Sequence, residues 1–200
     1  MQRLKLFIPL FIFVVLAVFF FVVQKQIGSG DYNPENMPSA LLNKSMPTFQ
    51  LPDLQSGAVV SNDAIKNSLL TNKVVLVNVW ATWCPSCVYE HPYLVTLAQQ
   101  GVAILGVDYK DEPEKAKKWL SEKGNPYIAV LDDRAGKLGL DLGVIGAPET
   151  YVIDRNGIVR LRYQGPLDQR VWDETFKPLL DQLQNSDQLQ KGDQLMSAGG

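Results

Sequence analysis

Two hundred residues, 46% of them hydrophobic and 20% charged, are enough for one globular domain with a packed core. The formal net charge of −2 comes without a basic patch, which argues against nucleic acid as a partner. Two cysteines and one histidine are too few for an ordinary four-ligand structural zinc site.

Leu6–Val23 runs eighteen residues without a charge, about what a helix needs to cross a bilayer core. The apolar stretch of a cleaved signal peptide is shorter, ~7–15 residues, and ends at a small-x-small site. Gln24-Lys25-Gln26-Ile27-Gly28 is a poor match to such a site. Residues 1–24 are therefore expected to be a cytoplasmic tip and an uncleaved single transmembrane anchor. Arg3 and Lys5 precede the span and Lys25 alone follows closely, which keeps the N-terminus in the cytoplasm and exports the rest. The exported side is oxidising, so a cysteine pair exposed there becomes a disulfide unless electrons reach it.

Residues 25–45, with Gly28, Ser29, Gly30, Asn33, Pro34 and Pro38, read as a linker. Pro47–Leu54 and Ala58–Ser61 around Ser56-Gly57 predict a β-hairpin. Ser61 or Asn62 caps a short helix expected at Asp63–Leu70. Strands and helices then alternate. Val74–Trp80 is a near-continuous apolar strand, and Pro85 to Gln100 a helix interrupted by Pro92. Val102–Asp108 is a second buried strand. Asp111–Lys123 is an amphipathic helix whose mixed charges, Asp111 among them, form a solvated face before Gly124 stops it. Tyr127–Leu131 is a short strand and Leu138–Leu142 a short helix. Glu149–Asp154 and Ile158–Tyr163 form a hairpin about Asn156-Gly157. Asp168–Leu183 has apolar residues at helical spacing. The domain is set at 46–183, with 184–200 a polar, frayed tail.

The only cysteines lie in Trp83-Cys84-Pro85-Ser86-Cys87, directly after a buried strand and at the head of a helix. Unpaired N–H groups and the positive end of the helix dipole stabilise a thiolate there. A thiolate with a second thiol three residues on can attack a disulfide, form a mixed disulfide and release it. A three-ligand metal site with His91 and a structural disulfide closing a tiny loop remain open. A c-type haem attachment site is excluded, because Val88 stands where histidine is required.

Trp80–Cys87, the hairpin before it and the Ala147-Pro148 step resemble the thioredoxin fold. Gly143-Val144-Ile145-Gly146-Ala147-Pro148-Glu149-Thr150 is more specific. It resembles the membrane-anchored, periplasmic thioredoxin-like proteins of cytochrome c maturation, the CcmG/DsbE family. Gly124–Tyr127 and Gly139–Gly143 are similar to that family too, and the likeness runs from about residue 45 to 180. It implies an α/β, thioredoxin-like fold: a mixed central sheet flanked by helices, with an N-terminal β-hairpin extension. It implies Cys84 as nucleophile and Cys87 as resolving thiol, Cys84 being solvent-reached and Cys87 a turn deeper. Pro148 resembles a cis-proline that turns the Ala147 backbone toward an extended substrate, with Trp83 and Pro85 beside it. An ordinary trans loop proline is the other reading of Pro148. Glu90 and Glu149 match the carboxylates of an acidic active site, able to move the exchange proton and to oppose the thiolate. Glu149 is expected to weigh more, with Glu90 partly open to water; a solvated helix-face carboxylate is the alternative for Glu90. Ser86, in place of a histidine between the cysteines, favours a reducing pair. Ile145 and Pro166 depart from relatives that carry an aromatic and an acidic residue there, both beside the substrate groove.

The expected activity is thiol–disulfide reduction without metal or organic cofactor. By resemblance the substrate is the C-x-x-C-H disulfide of apocytochrome c, or a mixed disulfide with a thiol protein of haem ligation. A membrane thiol transporter would supply electrons, and the chain would sit in a bacterial inner membrane with its catalytic domain in the periplasm. Three competitors are a dithiol oxidase or isomerase, a non-catalytic module docking apocytochrome through the Pro148 groove, and a metallochaperone using Cys84, Cys87 and His91.

Overall fold

The computed structural model describes residues 8–28, 40–64 and 74–184. Of the linker expected at 25–45, residues 29–39 lie outside the described residues, as do the expected helix beyond residue 64 and the tail from 185. Residues 25–28 are helical, and 40–45 are held to the domain, with the Asn43 N–H donating to the Val159 carbonyl at 2.8 Å and Ser45 bridging to Ile158. The chain divides into two units, Met1–Met37 and Pro38–Gly200.

The first unit holds α1, Ile8–Gly28, in which Pro9 falls in the first turn, where a missing N–H breaks no helical bond. Its phenylalanines at 11, 13, 19, 20 and 21 are all exposed, so the helix is apolar around its circumference. Side chains of α1 are described over residues 11–22 only. Among the described residues no helix is long and apolar enough to cross a membrane.

In the second unit β1 (Gln50–Pro52) and β2 (Val59–Ser61) form an antiparallel hairpin. It lies across the sheet's edge: Asp53 bridges to Leu131, and the Leu54 N–H donates to the Val130 carbonyl. Then come β3 (Val75–Trp80), α2 (Pro85–Gln99), β4 (Ile104–Tyr109), α3 (Pro113–Lys123), β5 (Ala129–Asp133), α4 (Lys137–Leu142), β6 (Glu149–Ile153) and β7 (Val159–Gln164). The last helix, α5, starts as Gln169–Val171, widens into a π-helical turn at Trp172–Phe176 and continues to residue 184. The sheet has the order β5-β4-β3-β6-β7, with β3–β4 and β4–β5 parallel and β3–β6 and β6–β7 antiparallel. This is the mixed, helix-covered sheet that the strand–helix alternation implied.

Side chains alternate along each strand, so the sheet separates two cores. Leu76, Trp80, Ile104, Val130 and Val152 pack with α2, α3 and α5 on one face, and this cluster contains Cys84 and Cys87. Val75, Val77, Val79, Leu105, Val107, Tyr151 and Ile153 pack on the other face with Leu138 and Leu142 of α4. Pro92 does not interrupt α2 as expected. It removes one N–H, but Leu94 and Leu97 beyond it are buried against the sheet and carry the helix on to Gln99. β5 starts two residues later than expected, because the Tyr127 ring is drawn under the sheet to stack on Trp80 at 5.6 Å. The β6–β7 turn is organised by Asp154, whose carboxylate accepts the Asn156 and Ile158 N–H groups, with Gly157 at φ 80°.

Gly106 makes room for that aromatic packing, since a Cβ there would meet Tyr127 Cγ at 2.9 Å and Trp80 Nε1 at 3.1 Å. Gly106→Ala should therefore cost about 1–3 kcal/mol by overpacking, read as a lowered urea midpoint. A midpoint equal to wild type would show that the ring moves freely, contrary to this packing.

Candidate active site

β3 ends at Trp80, and the next residues are held by the loop after β4. Asp111 accepts from both the Thr82 N–H and the Thr82 hydroxyl, the latter at 2.8 Å, and the Trp83 indole N–H donates to the Lys110 carbonyl at 3.1 Å. Asp111 was expected on a solvated helix face; it precedes α3 and brackets the approach to the cysteines instead. Cys84 is the N-cap of α2 and Pro85 occupies its first turn, where proline is favoured. The Cys87 N–H donates to Cys84 Sγ at 3.1 Å, so the first sulfur fills the role a serine or aspartate plays at other helix starts.

Cys84 and Cys87 form a disulfide, with Cα atoms 5.3 Å apart. Both are 2% exposed, so Cys84 is not the solvent-reached sulfur of the pair in this oxidised state. Each belongs to the buried cluster on which Ala147 packs. What distinguishes them is the cap: Cys84 faces the helix terminus, and Cys87 lies inside the first turn. Trp83 (52% exposed), Pro85 and Ile145 (69%) offer apolar surface around them. The Ala147–Pro148 peptide is cis, and the Pro148 carbonyl accepts from the Gly165 N–H at 3.0 Å.

The two glutamates occupy opposite faces of the sheet. Glu90 lies three residues beyond Cys87 on α2, within the cysteine-bearing layer, and is 1% exposed, not partly open to water. It accepts from Asn78 Nδ2 at 3.0 Å and from the Leu167 N–H at 2.9 Å, and no cation pairs with it among the described residues. Burial pushes its carboxyl up to about 7, although both hydrogen bonds oppose the shift. Asn78 also donates to Thr150 Oγ1 at 3.1 Å and accepts from the Tyr127 hydroxyl at 2.9 Å. Burial and the charges of Glu90 and Asp108 hold that hydroxyl protonated.

Glu149, opposite Val79 on β3, points to the other face. It is 1% exposed and ion-paired with Arg162 at 2.9 Å, so its charge is compensated rather than aimed at the sulfurs. Glu149 is thus matched by a cation, whereas Glu90 has none among the described residues. His91 does not turn toward the cysteines. Its Nε2 sits 2.9 Å from the Gly124 carbonyl and its ring packs edge-on against Trp119, and among the described residues no three His, Cys, Asp or Glu side chains are grouped to hold a metal ion.

Sequence reasoning missed Asn78, Tyr127 and Asp108. Asn78 is a lone polar residue in an apolar strand, which was a usable signal. Asp108 is wholly buried, and neither of its oxygens meets a partner among the described residues. Burial first, then the Asp111 and Asp132 carboxylates, push it up to about 8.

Residues 41–182 match the Redoxin family. The thiol:disulfide interchange protein DsbE of Pseudomonas aeruginosa is 49% identical, the alignment covering 92% of this chain and 96% of that one. DsbE of Haemophilus influenzae is 44% identical over 91% and 98%. Among solved structures, a secreted thiol-disulfide isomerase of Corynebacterium glutamicum superposes with a TM-score of 0.59 at 20% identity, over 75% of this chain and 96% of that one. The fold is thioredoxin-like.

Glu90 and Asp108 both titrate above their ordinary values of 4.5 and 3.8. Their contribution to stability is thus complete below those values and is lost as pH rises through about 7 and 8. Thermal midpoints of the oxidised protein should fall between about pH 4 and pH 8. Asp108→Asn should flatten the fall across its whole range, and Glu90→Gln should flatten it only up to about pH 7. An unchanged slope in both variants would remove these carboxylates as its source.

Proposed function

The chain belongs to the DsbE family of thiol:disulfide interchange proteins, and on that premise we propose that it reduces the haem-binding cysteines of apocytochrome c, or of a thiol protein of the haem-ligation machinery. The observation that carries the mechanism is the N-cap sulfur: Cys84 Sγ receives the Cys87 N–H at 3.1 Å at the head of α2.

In the reduced protein that N–H and the helix dipole favour the Cys84 thiolate. The thiolate attacks one sulfur of the substrate disulfide, and a Cys84–substrate disulfide replaces it. The departing substrate sulfur takes a proton. Cys87 then loses its proton and attacks Cys84 Sγ, which expels the second substrate sulfur as a thiolate and leaves the disulfide state described above. Glu90, at i+3 from Cys87 and titrating near 7, is the group suited to take that proton. The cis Pro148 turns the Ala147 backbone toward an extended substrate strand, flanked by Trp83 and Pro85. Two electrons and two protons from a membrane thiol transporter restore the dithiol. Residues 1–24 anchor the chain in a bacterial inner membrane, and the domain, which residues 40–45 join through the Asn43 N–H on the Val159 carbonyl, works in the periplasm. The eighteen-residue apolar run and the exposed phenylalanines of α1 support that placement.

Equilibrated against a thioredoxin or glutathione buffer, the pair should lie nearer thioredoxin's ~−270 mV than the ~−120 mV of strong oxidants. A value near the latter would make the chain an oxidase. Cys87→Ser should accumulate a substrate adduct through Cys84, visible by mass, because no thiol remains to resolve it. An adduct on Cys87 in the Cys84→Ser variant alone would reverse the two roles. The full-length protein should stay in the membrane fraction after a carbonate wash, and an N-terminal sequence starting near Ile27–Asp31 would show cleavage instead.

A further inference from the structure

We infer that Arg162 is a positioning residue for substrate, clamping residues 143–146 directly and through Glu149 so that Ile145 and the Ala147–Pro148 step meet an incoming protein disulfide in one fixed geometry. This rests on the reading of that step as the substrate-binding edge. Residues 143–146 belong to no helix or strand, yet they lead directly into the cis peptide and carry an exposed Ile145. Glu149 gathers the segment. Its Oε1 accepts from the Ile145 N–H at 2.8 Å and the Gly146 N–H at 3.3 Å, and its Oε2 from the Tyr151 hydroxyl at 2.8 Å. Arg162 holds the carboxylate in turn, donating from Nε to Oε2 at 2.9 Å and from Nη2 to Oε1 at 3.1 Å. The same Nη2 reaches the Gly143 carbonyl at 2.7 Å. One guanidinium therefore ties both ends of the segment to the sheet.

The pair is nearly dry, with the Arg162 side chain 8% exposed. A buried ion pair adds little net stability over apolar side chains of similar size, so its worth here lies in the geometry it imposes. It also sits on the sheet face away from Cys84 and Cys87. Its effect should fall on substrate alignment and leave the chemistry of the thiols alone, which separates a clamp from an acidic group tuning the thiol.

The test compares reduction of a small aromatic disulfide, Ellman's reagent, which needs no groove, with reduction of an oxidised peptide containing C-x-x-C-H. The proteins are full-length wild type, Arg162→Lys and Arg162→Met. The expected result is a peptide rate lowered at least about tenfold in Arg162→Met, where misplacement of the docking edge is greatest, and less in Arg162→Lys, which keeps charge but not the two-pronged grip. The rate with Ellman's reagent and the thiol titration should stay within about twofold of wild type. Loss of both rates together with a shifted titration, or an unchanged peptide rate, would overturn the clamp. If Arg162→Met fails to fold because Glu149 is left unpaired, the double variant Arg162→Met, Glu149→Gln carries no buried charge, and its ratio of peptide rate to small-disulfide rate must still fall. Wild type that reduces Ellman's reagent but not the peptide would count against the proposed function. The clamp would then be decided by hydrogen exchange at Ile145 and Gly146, which must quicken at least about tenfold in Arg162→Lys.

Discussion

A cysteine sulfur serving as a helix N-cap is the constraint from which the rest of the site follows. The N-terminus of α2 has N–H groups that need an acceptor, and Cys84 Sγ supplies one to Cys87. For that, the backbone must leave β3, turn within three residues and enter α2 with Cys84 in extended geometry. The bracket from the β4 loop, Asp111 on Thr82 and the Lys110 carbonyl on Trp83, fixes this turn from outside. The aromatic stack of Trp80 on Tyr127 and Trp119 fixes it from beneath. Stability and reactivity share one device here. The dipole and N–H that complete the helix are those that favour a thiolate.

The sheet divides labour between its faces. On the cysteine face the polar groups are uncharged or buried without a cation: Asn78, Thr150, Tyr127 and Glu90 form a connected set of hydrogen bonds centred on Asn78. On the other face Glu149 and Arg162 are matched charges that secure a loop. The backbone of β6 joins the two functions, since Glu149 and Thr150 are neighbours in sequence and point to opposite sides. A carboxylate that looks in one dimension like a second active-site acid lies, in three, on the sheet face opposite the cysteine cluster and is paired with Arg162.

That division explains what the sequence could and could not reveal. The buried strands, the redox pair and the cis-proline step were legible, because apolar runs, a lone C-x-x-C and one family-like segment carry local signals. Asn78 was visible as an oddity in its strand. Its partners were not, because Tyr127 and Thr150 lie 49 and 72 residues away and meet it only once the sheet order is known. Arg162 was hidden for the same reason: it reaches Glu149 across the β6–β7 register. The burial of Cys84 and Glu90 depended on how α2 and the segment around Leu167 close over them, which no periodicity encodes.

Two opposing effects act on the sulfurs, and their balance bears on direction. The helix terminus stabilises the Cys84 thiolate by about 0.3–1 kcal/mol in exposed settings and up to ~2 when partly buried. An ionised Glu90 in the same layer works the other way, and each pK unit it adds to a thiol is ~1.4 kcal/mol, or ~30 mV for a two-electron couple. Raising a thiol pKa destabilises the reduced form and so strengthens the pair as a reductant. Because Glu90 titrates near 7, it exerts this push only when it has given up its proton, the state in which it can also accept one from Cys87. In the proposed mechanism the helix terminus would favour Cys84 as the attacking sulfur, and an ionised Glu90 would make the pair readier to part with electrons.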